Sequence, residues 1–169
     1  MQSENPLIGT WELISFELRQ EDGTIKYPWG SDIKGQIMYG SDGYMAGSFM
    51  KGDRPTFEGD DVMAGSSIEF EQAMKSYIGY AGPYNLQGRY VFHQATISFF
   101  PNWTDTTIKR AFDVEGNRLT LTTPPLIYGG ISVIAALVWK KLTGNRENFL
   151  ILTESTTTAR IKAVSMAKR

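Results

Sequence analysis

The sequence predicts an all-β domain in which eight antiparallel strands close into a barrel. Three observations carry this expectation. Stretches of β-forming residues recur along the chain, separated by turns built from Gly, Pro, Asn and Asp. One segment alone has helical spacing. The 169 residues, 41% of them hydrophobic and 21% charged, supply enough apolar material for one packed domain. Eight strands in a meander close without exposed edges, around an interior able to hold one small molecule.

The elements follow in order. Gly9-Thr10-Trp11 opens a strand, TWELISFEL, whose imperfect alternation suits a long bent strand at a barrel corner. Gln20 to Lys34, broken by Gly23, Pro28 and Gly30, reads as a loop. GQIMYG (35–40) and YMAGSFM (44–50) flank Asp42-Gly43, a strong hairpin signal, with Met45, Gly47 and Phe49 on one face. After the loop 51–65, Ser66 to Gly79 reads as a helix. Ser66 and Glu69 have capping-box spacing, and Phe70, Ala73, Met74 and Tyr77 share a face that either packs on the sheet or lids the barrel mouth. The helix therefore falls between the third and fourth strands. Tyr80 to Gln87 is the next strand. Arg89 to Phe100 reads as one long strand entering a Pro101-Asn102-Trp103 turn, with Val91, His93, Ala95 and Ile97 inward. Thr106 to Val114 places Ile108, Arg110 and Phe112 on one face. Arg118 to Thr123 points Leu119 and Leu121 inward, and Ile131 to Lys141 closes the set, apolar enough to be buried on both faces at one end. The barrel domain spans 6–143. The extension 144–169, with a short strand at Phe149 to Leu152 and a basic helical piece from Thr157, is expected to cap the barrel, dock on the partner of a homodimer, or be mobile.

Composition narrows the function classes. A formal net charge of -1 gives no basic excess to neutralise a phosphate backbone, so nucleic acid is not the expected partner. With no cysteine and one histidine there is no disulfide framework and no multi-histidine or thiolate metal site. The acidic run Glu58-Gly59-Asp60-Asp61 lacks calcium-loop spacing and reads as a solvated loop. Nucleotide and hydrolase signature strings are missing, so no cofactor is expected. The N-terminus lacks signal-peptide character, and Val133 to Trp139 is too short to span a bilayer. A cytoplasmic protein with no membrane partner is the expectation. The triplet Asn102-Trp103-Thr104 matches a glycosylation acceptor, read here as a chance occurrence.

Several pieces in order, LIGTWELISFE, GQIMYGSDGYMAGSFMKGDRP, YIGYAGPYNLQG, HQATISFFPNW, KRAFDVEGNRLTLTTPP and LVWKK, resemble the lipocalin-like domain family of small bacterial and fungal proteins. The resemblance covers roughly residues 6 to 142. It implies an eight-stranded barrel with a ligand cavity, and Trp11 at the closed end with a stacked arginine, for which Arg110 is the candidate. It also implies small-molecule binding, and in some relatives cofactor-free cyclase or isomerase chemistry on natural products.

His93 is the candidate catalytic residue, because an imidazole titrates near neutrality and an inward one is partly desolvated. Arg110 is expected either to stack structurally or to anchor a ligand carboxylate or enolate. Tyr39 and Tyr84 are candidate donors to a ligand carbonyl. Phe49, Phe99, Trp103 and Trp139 are expected to line an apolar, aromatic cavity. Two functions compete for such a pocket. One is a cofactor-independent cyclase, isomerase or dehydratase acting on a hydrophobic polyketide or terpenoid, with His93 as acid or base. The other is a non-catalytic intracellular carrier or scavenger of a small hydrophobic or amphipathic molecule. The inward ionisable histidine tips the expectation towards the enzyme.

Overall fold

A computed structural model of the chain describes residues 5–143. The expectations for the extension 144–169 lie outside the described residues. In chain order the elements are β1 (Gly9–Arg19), β2 (Ile25–Lys26), β3 (Ile33–Tyr39), β4 (Tyr44–Lys51), α1 (Ser67–Lys75), β5 (Tyr77–Gln87), β6 (Tyr90–Ala95), β7 (Ile97–Ser98), a 3-10 turn (Pro101–Trp103), β8 (Thr106–Glu115), β9 (Arg118–Thr122), β10 (Leu126–Tyr128) and β11 (Ile131–Lys141).

Among the described residues, eight long strands pair antiparallel, in the order β1, β3, β4, β5, β6, β8, β9, β11. Pairing of β1 with β11, from Trp11↔Lys141 to Arg19↔Ile134, closes the sheet on itself. The short strands hang on this frame: β2 on β1, β7 on β5, β10 on β11. The predicted barrel is therefore present. No helix among the described residues is long and apolar enough to cross a membrane.

The bent first strand owes its shape to a bulge. The register with β11 shifts between Leu13 and Ser15, so Ile14 is an extra residue. Trp11 and Leu13 face inward before it, and Phe16 and Leu18 face inward after it. A strict period of two would have turned one pair into solvent. In β11, Ala135 to Trp139 are all buried, as the unbroken apolar run suggested.

Four parts of the chain differ from the sequence reading: the helix, the segment 20–34, residues 89–100 and residues 126–128. The helix lies after the fourth strand in the chain, not between the third and fourth. The segment read as the loop 20–34 contains β2, which pairs Leu18↔Lys26 and Arg19↔Ile25. The helix also ends at Lys75 rather than Gly79, because Tyr77 begins the ladder with Met50 of β4. Its capping box is present, Ser66 Oγ accepting from the Glu69 N–H and the Glu69 carboxylate accepting from the Ser66 N–H. None of its residues is buried, so its apolar face is not packed into the core.

The third difference is at residues 89–100, which form two strands instead of one. The register with β5 changes from Tyr84↔His93 to Ala81↔Ile97, which leaves one extra residue on the β6–β7 side. The inward face is inverted past this point. Val91, His93 and Ala95 are buried, whereas Ile97 is 70% exposed. Gly82 sits opposite the break, and a Cβ there would lie 1.9 Å from the Gln94 carbonyl oxygen. The fourth is β10, where Leu126 to Tyr128 pair with β11 immediately after the two prolines that end β9.

Gly82→Ala is expected to destabilise the barrel by about 1–3 kcal/mol, since backbone must shift to admit the methyl group. A urea midpoint equal to that of the parent chain would refute the close approach. Ser66→Ala should weaken α1 locally by about 1 kcal/mol. Amide exchange should quicken over residues 67–75 and stay slow in the strands, because the helix contributes nothing buried to the core.

Candidate functional site

The barrel interior divides into a filled half and an empty half. At one end the segment before β1 plugs the barrel. Leu7 is fully buried, and its carbonyl accepts the Trp11 indole N–H at 2.8 Å. Asn5 Nδ2 donates to the Tyr84 hydroxyl, which donates to the Gly40 carbonyl, each at 2.8 Å. Trp11 is thus at a closed end, as the resemblance implied. Its cation neighbour, however, is Lys141, with Nζ 5.1 Å from the indole. Arg110 lines the cavity instead of stacking there. Tyr84 is hydrogen-bonded to the plug and to the Gly40 carbonyl, and it is not among the residues that line the cavity.

His93 sits on the boundary between the two halves. It is wholly buried, with Tyr39 Oη 2.9 Å from Nε2 and Tyr80 Oη 3.0 Å from Nδ1. Burial, and then the Arg110 charge, hold its pKa down at about 3. It is therefore a neutral imidazole around pH 7. One ring nitrogen donates and the other accepts, so one tyrosine hydroxyl gives a proton to the contact and the other receives one. Burial also raises the pKa of both tyrosines, most strongly for Tyr39, against the opposing pull of Arg110. Tyr39, His93 and Tyr80 form a neutral hydrogen-bonded bridge across the barrel.

The empty half is a cavity of about 230 Å³. Phe16, Phe49, Leu121, Ala135, Leu137 and Trp139 form much of its wall. Phe99 and Trp103 close one side, with ring centroids 5.8 Å apart, and Trp103 stacks edgewise on Tyr80 at 6.0 Å. Ile127 touches the cavity yet is largely exposed, which places the mouth beside β10. Polar groups on the wall are few: Tyr80, Arg110, Thr123, Tyr128 and the Trp103 and Trp139 indoles. Trp139 Nε1 is buried and has no hydrogen-bond partner among the described residues.

Of the candidates from sequence, Phe49, Phe99, Trp103, Arg110 and Trp139 meet at this cavity, whereas His93, Tyr39 and Tyr84 do not touch it. Tyr80 is the residue that sequence reasoning passed over. It was read as the first residue of a strand, next to the helix end, and the earlier start of β5 at Tyr77 sets it within the ladder opposite Ser98. Tyr80 is the one member of the bridge that reaches both His93 and the cavity. A signal was present: Tyr80 and Tyr84 are four apart, so both face the same side of a continuous strand.

What the arrangement can do is bind. A dry, aromatic cavity rewards an apolar ligand by about 25 cal/mol per Å² of surface removed from water. A few donors then fix its orientation.

Comparison with known proteins finds a family and similar individual proteins. A carrier protein from Aspergillus oryzae (strain ATCC 42149 / RIB 40), named the 4'-hydroxy-3'-methoxypropiophenone carrier protein ppsC, is 32% identical over 107 residues. That alignment spans 58% of this chain and 96% of the relative. A crystal structure of a lipocalin-like protein from Bacteroides uniformis ATCC 8492 matches with a TM-score of 0.42 and 15% identity, covering 82% of this chain and 100% of that one. The lipocalin-like domain profile matches residues 8–142, the whole of the closed barrel from the first strand to the last, and the chain belongs to that family.

Proposed function

We propose that this protein is a non-catalytic carrier of a small, largely apolar aromatic molecule held in the barrel cavity. The observation that carries this reading is the separation of His93 from the cavity. The one histidine, preferred from sequence as an acid or base, is fully buried with both ring nitrogens occupied by tyrosines. General acid–base work needs the group within hydrogen-bond reach of the reacting atom. Tyr80 stands between His93 and the ligand, with its own pKa raised by burial. The cavity holds no carboxylate among its lining residues. The fungal relative named as a carrier of an aryl ketone supports the same class of ligand. Phe16, Phe49, Phe99, Trp103 and Trp139 supply faces for a ring, in a volume suited to a molecule of one or two rings.

The test uses 4'-hydroxy-3'-methoxypropiophenone as probe. Calorimetric titration should give one site per chain, and the ketone should be recovered unchanged after long incubation. Ala135→Phe, which fills the cavity, should reduce affinity at least tenfold, about 1.4 kcal/mol, with the fold intact by circular dichroism. Recovery of an altered ketone would falsify the carrier reading; unchanged affinity in Ala135→Phe would move the site elsewhere.

A structural His93 has its own signature. Its folded-state pKa, about 3, is below the ordinary value of 6.5. As pH falls the unfolded chain takes up the proton first, so the stability His93 contributes is fully present above about pH 6.5 and is lost on approach to pH 3. The slope approaches about 1.4 kcal/mol per pH unit in that window. His93→Gln is expected to lower stability at pH 7 and to flatten the decline between pH 7 and 4.5 in urea unfolding. A parallel decline in both proteins would mean that His93 is protonated in the folded barrel.

A further inference from the structure

The cavity wall is apolar apart from a few groups. Among the described residues, Arg110 is the one formally charged residue lining it. No carboxylate among the described residues forms an ion pair with Arg110. Arg110 Nη1 donates to the neighbouring Lys109 carbonyl at 3.0 Å, and its charge acts on the Tyr80 hydroxyl against the effect of burial. Tyr80 lines the same cavity, and so does Trp139, whose buried N–H has no partner among the described residues. A cation, a phenol and an orphaned indole N–H therefore share one small apolar space. An apolar molecule offers no acceptor to the cation, to the indole N–H, or to the Tyr80 O–H when that hydroxyl accepts from His93 Nδ1. An unmet buried donor is a standing cost, and a half-buried charge beside an apolar cavity favours a counter-charge there.

We propose that the cavity takes its ligand as an oxygen anion, the deprotonated form of a hydroxyl conjugated to a carbonyl, with Arg110 as counter-charge and Tyr80 and Trp139 as hydrogen-bond donors. This rests on the carrier reading and names the ligand's ionisation state. On binding, the ligand O–H bond breaks, its electron pair stays on oxygen, and its proton passes to the buffer. The other titratable groups on or behind the wall do not compete. Tyr80 and Tyr128 on the wall, and Tyr39 behind it, are pushed up by burial and stay neutral. His93 behind Tyr80 has too low a pKa to take the proton. No acidic residue lines the cavity to repel an anion. Burial also disfavours an ionised ligand, and in Tyr80 it outweighs the pull of Arg110. A hydroxyl conjugated to a carbonyl is a stronger acid than tyrosine, because its charge spreads onto the carbonyl oxygen.

The experiment is an absorbance titration of 4'-hydroxypropiophenone against pH, free and with the full chain in excess, using 4'-methoxypropiophenone as the non-ionisable control. The bound ketone is expected to ionise at least about one pH unit below the free one. In Arg110→Met the bound ketone should ionise above the free value, since burial acts alone. Arg110→Lys, which keeps the charge, should recover part of the downward shift. A bound ketone that ionises at or above its free value in the parent chain overturns the inference, as does a downward shift that persists in Arg110→Met. If the methoxy control binds while the hydroxy ketone stays neutral, only the anion proposal falls. If neither ketone binds, the carrier reading falls with it.

Discussion

Closure of the first strand on the last is the constraint on which everything else depends. An open sheet of this length would present two edges and a wet apolar face. Pairing of β1 with β11 removes both and converts one sheet face into an interior. The bulge at Ile14 is part of the same requirement. A straight strand of alternating residues cannot serve both ends of a curved wall, and the extra residue bends it while Trp11, Leu13, Phe16 and Leu18 stay inward. The break between β6 and β7, opposite Gly82, performs a similar bend on the far side.

A closed barrel must then fill its interior or leave a hole, and this one does both. Leu7 and Trp11, joined by the indole hydrogen bond, seal one end. The Tyr39–His93–Tyr80 bridge crosses the middle. Beyond it the side chains stop short, and the cavity opens towards β10 and the Phe99–Trp103 pair. The bridge explains how three polar side chains tolerate deep burial. Each ring nitrogen of a neutral imidazole is matched to one hydroxyl, so desolvation is met by paired groups and not by ionised ones. The same logic sets Trp139 and Arg110 apart. They line the hole, and the protein gives their polar groups little among its described residues.

Much of this was legible in the residues. The strands around Trp11, the Asp42-Gly43 hairpin, the capping box at Ser66 and Glu69, and the clean alternation at Leu119 and Leu121 follow from local patterns and turn chemistry. The aromatic character of the cavity was also readable, since Phe49, Phe99, Trp103 and Trp139 all reach it. The errors cluster where a long-range ladder overrode local spacing. Tyr77 has helical spacing from Phe70 and Met74, yet its partner Met50 on β4 draws it into a strand and brings Tyr80 into the barrel. Ile97 follows the period of Val91, His93 and Ala95, but a one-residue break inverts its face.

What the sequence determined by itself was therefore the container: an antiparallel barrel, its strand count, its inward histidine and its apolar wall. These are set by period, turn residues and composition, which are properties of short stretches. Only the tertiary structure decided which inward residues meet the empty half. His93, Tyr39 and Phe49 all point inward along their strands, and nothing in their spacing separates them. Depth along the barrel axis separates them, and that depth follows from the stagger of strands paired far apart in sequence. Through it His93 became part of the scaffold, while Tyr80, Arg110 and Trp139 face the cavity.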